Sequence, residues 1–469
     1  MGCEAPGPFG PARPRVGGRT INASRSTLAA VSAISAVAAV LLFFKIGKES
    51  FCFDEIIRPQ LVSMRGVELI GDMVSSGRPP LYVLLAKAWT DVFGTGEAAA
   101  RSFSAVLGLM AVPALYLVAE RLFERRVALL SALIMALSPF QVYYSQEFRY
   151  YSLVVLLSAL TMWFFLRALD SGRTLDFILF GMGGALLFYT HLLALLLVAA
   201  ADVYYLLRWK RTRSLLREWL LSQALLGLLT APGFVPEFTR QVVPLARPGG
   251  GTFAAGGWVP PPQLYAPLRT ALNFMVLGRR HVSLPVLAAG LGALLVGVVV
   301  TVGVRGLRRW AQDAGALLTD LRAFIRSRGA ALLLVALWLL IPIMTIFVLS
   351  LVLSPFYVDR YVITAAPALY MLAAVVIVQA SRFVSEVFVV GALLIVFGGA
   401  LRSYYVEDVK EQWGEAAAYL EEHVTEDDVL AFTAESGSRG GAYDIQKAIH
   451  WYYAGEAEEC VLWRVREGA

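Results

Sequence analysis

The sequence predicts an all-α polytopic membrane protein with about eleven transmembrane helices. Three observations predict it. Of 469 residues, 58% are hydrophobic and 16% charged, whereas a soluble domain averages about 45–50% apolar and about 25% charged. The apolar residues are gathered into runs of about 20, the length of one bilayer crossing. The basic residues are gathered into short clusters between those runs. Interfacial helices in a first outer loop, and a small α/β outer C-terminal tail, complete the expected fold.

Residues 1–27 are rich in Gly, Pro and Arg and read as a disordered cytoplasmic tail. The transmembrane domain is expected over 28–401. Its apolar runs are 28–46, 98–122, 127–144, 151–169, 175–207, 219–235, 284–304, 330–353, 361–380 and 383–401. The run 175–207 is too long for one helix and short for two. Arg167 and Arg173 precede it, and Arg208, Lys210, Arg211 and Arg213 follow it. With both clusters on the cytoplasmic side it crosses twice, and His191 falls at the outer bend.

The same rule puts Arg121/Arg125/Arg126, Arg305/Arg308/Arg309 and Arg322/Arg326/Arg328 inside. Counting the stretch 81–93 as a span would invert every later loop. It follows Pro79-Pro80, carries Lys87, and reads as an interfacial helix, with 56–76 a second one. The outer side then holds a first loop (47–96), a Pro/Gly-rich loop (236–282) and a C-terminal domain (402–469). In that domain 410–423 has helical character and 428–432 reads as a short strand.

Composition also excludes. The net charge is +6, but cations split into loop clusters suit membrane orientation better than a nucleic-acid groove. Three cysteines make no disulfide framework, and Cys3, Cys52 and Cys460 match no metal-ligand spacing. They read as unpaired thiols, although Cys52 and Cys460 fall on the same outer side. Asp202, Glu218 and Glu386 sit toward cytoplasmic ends, which argues against an ion-coupled carrier with charges at the midplane.

The candidate chemistry is on the outer side. Asp54-Glu55 lies just past the first helix, where a membrane enzyme acting on a hydroxyl needs a general base. A solvated acidic pair in a loop is the blander reading. Neighbours on a helix do not share a face, so one carboxylate is expected to react and the other to support it. Arg78, Lys87, Arg149, Tyr150, His191, Arg360 and Tyr361 fall on the same side. Cations aimed at a phosphate stabilise its departure, whereas any one of them alone could be an interfacial anchor.

These residues carry a resemblance. Phe53-Asp54-Glu55, Arg78-Pro79-Pro80-Leu81-Tyr82, Phe93-Gly94 and Glu97 to Arg101 come first. Ser138-Pro139-Phe140, Tyr144-Ser145-Gln146-Glu147 with Arg149 and Tyr151, Tyr189-Thr190-His191, and Arg360-Tyr361 with Pro367 follow in order. The set resembles the polyprenyl-phosphate-sugar-dependent glycosyltransferases of the C-type membrane fold. Within them it is similar to the protein-mannosyltransferase-like group, which includes lipid A aminoarabinose transferases and Rgt-type galacturonosyltransferases.

The resemblance implies a sugar donor linked through one phosphate to a long isoprenoid, and an acceptor hydroxyl on a glycan, lipid or protein. It implies Asp54 as base, with Glu55 beside it, inversion at the anomeric carbon, and a cell-envelope setting in the inner or plasma membrane. No obligate metal and no nucleic-acid partner are expected; the lipid-linked sugar is the co-substrate. The group usually has His before the two prolines, where this chain has Arg78, whose charge is permanent. The competing readings are a lipid-linked-sugar flippase or other transporter, and a scaffold whose tail binds a partner.

Overall fold

The computed structural model describes residues 24–76, 79–241, 259–277, 283–305, 307–353, 355–381, 384–408, 410–433, 439–455 and 457–462. Arg78, Cys3, most of the N-terminal tail and much of the 236–282 loop fall outside them.

Each predicted run is helical. Helix α1 (Arg25–Phe43) starts at Ser24, whose hydroxyl accepts from the Thr27 amide. The segment after it folds as α2 (Phe53–Ser63), α3 (Gly66–Ser76) and α4 (Pro80–Phe93). Helix α4 coincides with the predicted interfacial helix. Pro80 opens it, where a missing N–H costs nothing, and Gly94 at φ 92° ends it.

The core follows as α5 (Glu97–Leu122), α6 (Arg125–Leu137), α7 (Pro139–Ser145), α8 (Tyr151–Ser171) and α9 (Thr174–Phe188). The run 127–144 is not one straight helix, because α6 and α7 meet at 58°. Pro139 cannot donate back into α6, and Ser138 instead caps α7 and donates to the Phe274 carbonyl at 2.8 Å. After α9 the chain turns through a 3-10 helix (Leu192–Leu195) into α10 (Leu196–Leu207). Then come α11 (Trp209–Thr212), α12 (Leu216–Gln241), α13 (Ala266–Val276), α14 (Leu284–Arg305) and α15 (Leu307–Val352). A 3-10 helix (Asp359–Ala365) leads into α16 (Ala366–Ala380), and α17 (Glu386–Val406) follows.

Among the described residues seven helices are each long and apolar enough to cross a membrane, and up to nine when two bent pairs count as single spans. One bent pair is α6–α7. The other runs 192–207 and 209–234, with an 85° bend. Helix α9, of 15 residues, is apolar but shorter. The predicted count of about eleven treats α9, α10 and α12 as separate crossings, which length and hydropathy alone do not establish. Helices α5 and α8 are mostly buried, whereas α1 and α14 expose most of their surface. With no water to drive burial, an apolar exposed surface of this kind belongs in lipid.

The C-terminal segment adds α18 (Trp413–His423), β1 (Val429–Phe432), α19 (Arg439–His450) and β2 (Glu458–Val461). The strands pair in parallel, Val429 opposite Glu458, so the link between them must cross over, and α19 supplies it. Ala417, Phe432, Ile449 and Tyr453 form its small core. Cys52 and Cys460 are free thiols.

Candidate active site

The site is built where α2, the α7–α8 junction and the 3-10 helix at Asp359 converge. Helix α2 begins at Cys52, whose amide donates to Glu55 Oε2 at 3.1 Å. That bond turns Glu55 inward and leaves its neighbour Asp54 facing the other way. Glu55 is fully buried. It accepts from Arg101 Nε at 2.9 Å and Nη2 at 2.7 Å, from the Phe148 amide at 2.7 Å and from Lys410 Nζ at 3.1 Å. Burial pushes the Glu55 carboxyl up, but Lys410, Arg101 and the Phe148 amide outweigh it and hold the group well below the usual carboxylate range. Glu55 is therefore held ionised near neutral pH, with both oxygens engaged by its partners.

Arg101 spends all five of its N–H donors. Besides Glu55, it donates to the carbonyls of Ile46 at 3.2 Å, Glu49 at 2.6 Å and Ser50 at 2.8 Å. A guanidinium has just that many donors, so the loop leading to Asp54 is pinned from behind.

Asp54 is about a third exposed and sits between two guanidiniums. Arg149 Nη1 lies 2.7 Å from Oδ1 and Arg360 Nη1 lies 3.1 Å from Oδ2. Arg149 also donates to the Asp54 carbonyl at 2.8 Å. Its guanidinium lies against the rings of Tyr150 and Tyr151, at 5.5 and 5.4 Å from their centroids. Arg149 Nε and the Tyr151 hydroxyl are buried and donate no hydrogen bond to any described group. Orphaned donors beside two cations make an anion-binding surface.

His191 completes the wall. Its ring lies 5.0 Å from that of Tyr150 and 5.8 Å from that of Tyr361. Nδ1 accepts from the Leu193 amide at 3.2 Å, so the proton of the neutral ring is on Nε2. Burial, and then the charge of Arg149, lower its pKa to about 4. It is a neutral donor near pH 7, not an acid.

The structure thus gathers Asp54, Arg149, Tyr150, His191, Arg360 and Tyr361. Glu55 joins as support. Lys87 is occupied elsewhere: it donates to the Val62 carbonyl at 3.0 Å and pairs with Asp91 at 3.0 Å, tying α2 to α4. No contact among the described residues links it to Asp54. Arg78 lies outside the described residues, but nearby the Leu81 amide donates to the Tyr189 carbonyl at 3.0 Å. This joins the Pro79-Pro80 corner to the His191 bend. Sequence reasoning missed Lys410, which lies in the tail; its only signal was a cation close after the last apolar run. Glu147, quoted in the motif but given no role, is buried near Lys410, and burial pushes its carboxyl up.

Among the described residues no group of three His, Cys, Asp or Glu side chains is placed to hold a metal. Both oxygens of Asp54 are engaged by guanidiniums, a setting that does not fit a divalent cation.

Residues 77–235 match the family model described as dolichyl-phosphate-mannose-protein mannosyltransferase. That segment holds Arg149, Tyr150 and His191. ArnT from Cupriavidus metallidurans in the apo state matches with a TM-score of 0.56 at 15% identity, over 92% of this chain and 86% of that one. This is the C-type membrane glycosyltransferase fold. The same protein bound to undecaprenyl phosphate gives 0.50 at 16% identity, over 92% and 85%. The Archaeoglobus fulgidus oligosaccharyltransferase complex with Zn and sulfate gives 0.52 at 13%, over 92% and 62%. No curated protein matches the sequence. The family segment and the fold together mark the chain as a multi-pass membrane glycosyltransferase. A flippase is not favoured.

Proposed function

We propose that this glycosyltransferase moves a sugar from a polyprenyl-phosphate donor to an acceptor hydroxyl at the outer face of the cell membrane, with inversion. The observation that carries the reading is Asp54 held between Arg149 and Arg360. The acceptor oxygen attacks the anomeric carbon and forms the new glycosidic bond. The bond from that carbon to the phosphate oxygen breaks, and its electron pair leaves with the lipid phosphate. The acceptor proton goes to Asp54. A phosphate needs no strong acid to leave, so a second catalytic carboxyl is not required.

The two guanidiniums serve both anions. A carboxylate paired with two cations is a poor base. A donor phosphate competes for the same Arg149 and Arg360, and each cation drawn toward it makes Asp54 more basic. Donor binding and base activation are therefore one event. The Tyr151 hydroxyl, Arg149 Nε and His191 Nε2 supply further donors to phosphate or sugar.

The basic loops support a cytoplasmic N-terminus and an outer C-terminal domain. The acceptor belongs to the glycan, lipid or protein class. The test is Asp54→Asn, purified and reconstituted with a panel of polyprenyl-phosphate sugars and product mass spectrometry. Transfer should fall by about 10²–10⁴-fold, the worth of a general base, while membrane insertion is unchanged. Wild-type turnover by that variant would remove Asp54 from the role.

A further inference from the structure

The C-terminal segment contacts the backbone on which the candidate site is built. Lys410 lies between α17 and α18, far in sequence from every site residue, yet its side chain is almost completely buried. Its ammonium donates to Glu55 Oε2 at 3.1 Å and to the carbonyl of Gln146 at 3.1 Å. Glu55 adjoins Asp54 in the chain. Gln146 lies three residues before Arg149. Lys410 therefore bridges the two backbone segments that carry the two halves of the Asp54–Arg149 pair.

The surrounding contacts point the same way. Glu411 accepts from the Phe53 amide at 3.2 Å, and the Tyr452 hydroxyl accepts from the Phe51 amide at 2.7 Å. The Gly414 amide donates to Ser50 Oγ at 3.0 Å. Residues on both sides of the α2 start are thus gripped by the tail. Gln146 is itself fixed, since its amide donates to the carbonyls of Leu42 and Phe44 at 2.9 Å and its Oε1 accepts from Tyr404 at 2.7 Å. A cation bridging a fixed carbonyl and a fully buried carboxylate sets a distance.

We propose that Lys410 is a positioning residue for glycosyl transfer, fixing the spacing of Asp54 and Arg149 from the C-terminal segment. This rests on the reading of Asp54 as base. Small misplacements of a reacting group can cost about 10²-fold in rate, so the effect belongs in kcat and not in donor affinity.

The experiment compares full-length wild type, Lys410→Met and Lys410→Arg, reconstituted with a polyprenyl-phosphate sugar. Lys410→Met should lose about 10- to 100-fold in kcat with donor KM within about threefold of wild type, and Lys410→Arg, which keeps the cation, should recover most of the loss. Because Lys410→Met leaves Glu55 with one cation fewer, the pair Lys410→Met/Glu55→Gln is measured beside it. It removes the Lys410–Glu55 ion pair, leaves Arg101 buried without its carboxylate, and should remain slow. Wild-type kcat in Lys410→Met overturns the proposal. So does a loss in which KM rises in proportion, which marks donor binding, or one that Arg does not rescue; each kcat is taken per folded enzyme from a thermal melt of the same preparation, because unfolding alone lowers kcat at unchanged KM. Asp54→Asn runs in parallel: an active Asp54→Asn variant sinks the base assignment, whereas an inactive one beside a fully active Lys410→Met sinks the positioning role alone.

Discussion

Arg101 grips both carboxylate oxygens of Glu55, Nε to Oε1 at 2.9 Å and Nη2 to Oε2 at 2.7 Å, with both side chains almost wholly buried. The pair joins α5 to the first turn of α2. It is the fixed point from which Asp54 is presented.

Breaking it should be costly. Arg101→Leu leaves Glu55 buried with only Lys410 to balance it, and removing one partner of a buried pair costs about 3–5 kcal/mol. Thermal unfolding in detergent should show a clear drop, with loss of activity. The acid limb of stability should move as well. Because the folded Glu55 pKa lies below its unfolded value, the pair stabilises the protein fully above the usual carboxylate range and loses that contribution as pH falls through the folded value. In Arg101→Leu the folded value rises, so acid unfolding should begin at higher pH than in wild type.

Arg149→Lys and Arg360→Lys keep charge but lose the fork that lets one guanidinium reach two acceptors. Arg149 serves the Asp54 carboxylate, the Asp54 carbonyl and two tyrosine faces, so its replacement should be the more severe. We expect about a 10²-fold loss in kcat/KM for Arg149→Lys, comparable to removing one donor from an anion hole, and a smaller loss for Arg360→Lys. Steady-state kinetics with inhibition by free polyprenyl phosphate checks both; equal inhibition constants in all three proteins would contradict a shared phosphate site.

His191 stays neutral above about pH 4. Activity between about pH 5.5 and 8 should show no inflection that His191→Asn removes, although that variant should lose about tenfold in kcat/KM, roughly one hydrogen bond. The stability sign follows from the same shift. Below pH 6.5 the unfolded chain binds a proton that folded His191 refuses, so its contribution falls as pH drops from 6.5 toward 4 and is constant above. A pH–rate limb near 6.5 that vanishes in His191→Asn would show the ring titrating in catalysis.

Orientation is checked by labelling. The α18–β1 turn at Thr425–Asp427 is exposed. In a background lacking the native cysteines, Thr425→Cys should react with a membrane-impermeant maleimide added to intact cells. Protection until lysis would invert the thread and move the site to the cytoplasmic face.

Much of the fold was legible in the chain. Runs of apolar residues mark helices because lipid leaves backbone groups no partner but each other, and every predicted run is helical. The position of the break within 127–144 was less evident: the Pro139 ring forces it, but only the Ser138 bond to Phe274 shows where the bend leads. The crossing count is least legible over 175–234, where short helices and an 85° bend between 207 and 209 satisfy the same hydropathy as straight spans.

The sequence alone determined membrane residence, the helical class and the short list containing Asp54, Arg149, His191 and Arg360, because composition and local order carry those signals. The resemblance implies Asp54 rather than Glu55 as the base; the tertiary structure supplies the physical difference between the two. Asp54 and Glu55 are indistinguishable as letters, and the choice is made by Arg101 and Lys410, drawn from α5 and the C-terminal segment to bury one and leave the other between two guanidiniums. Lys87 shows the converse, a cation in the right loop that packing turns to a different task. The charge a residue carries fixes what it can do; burial and the partners brought by distant helices fix what it does.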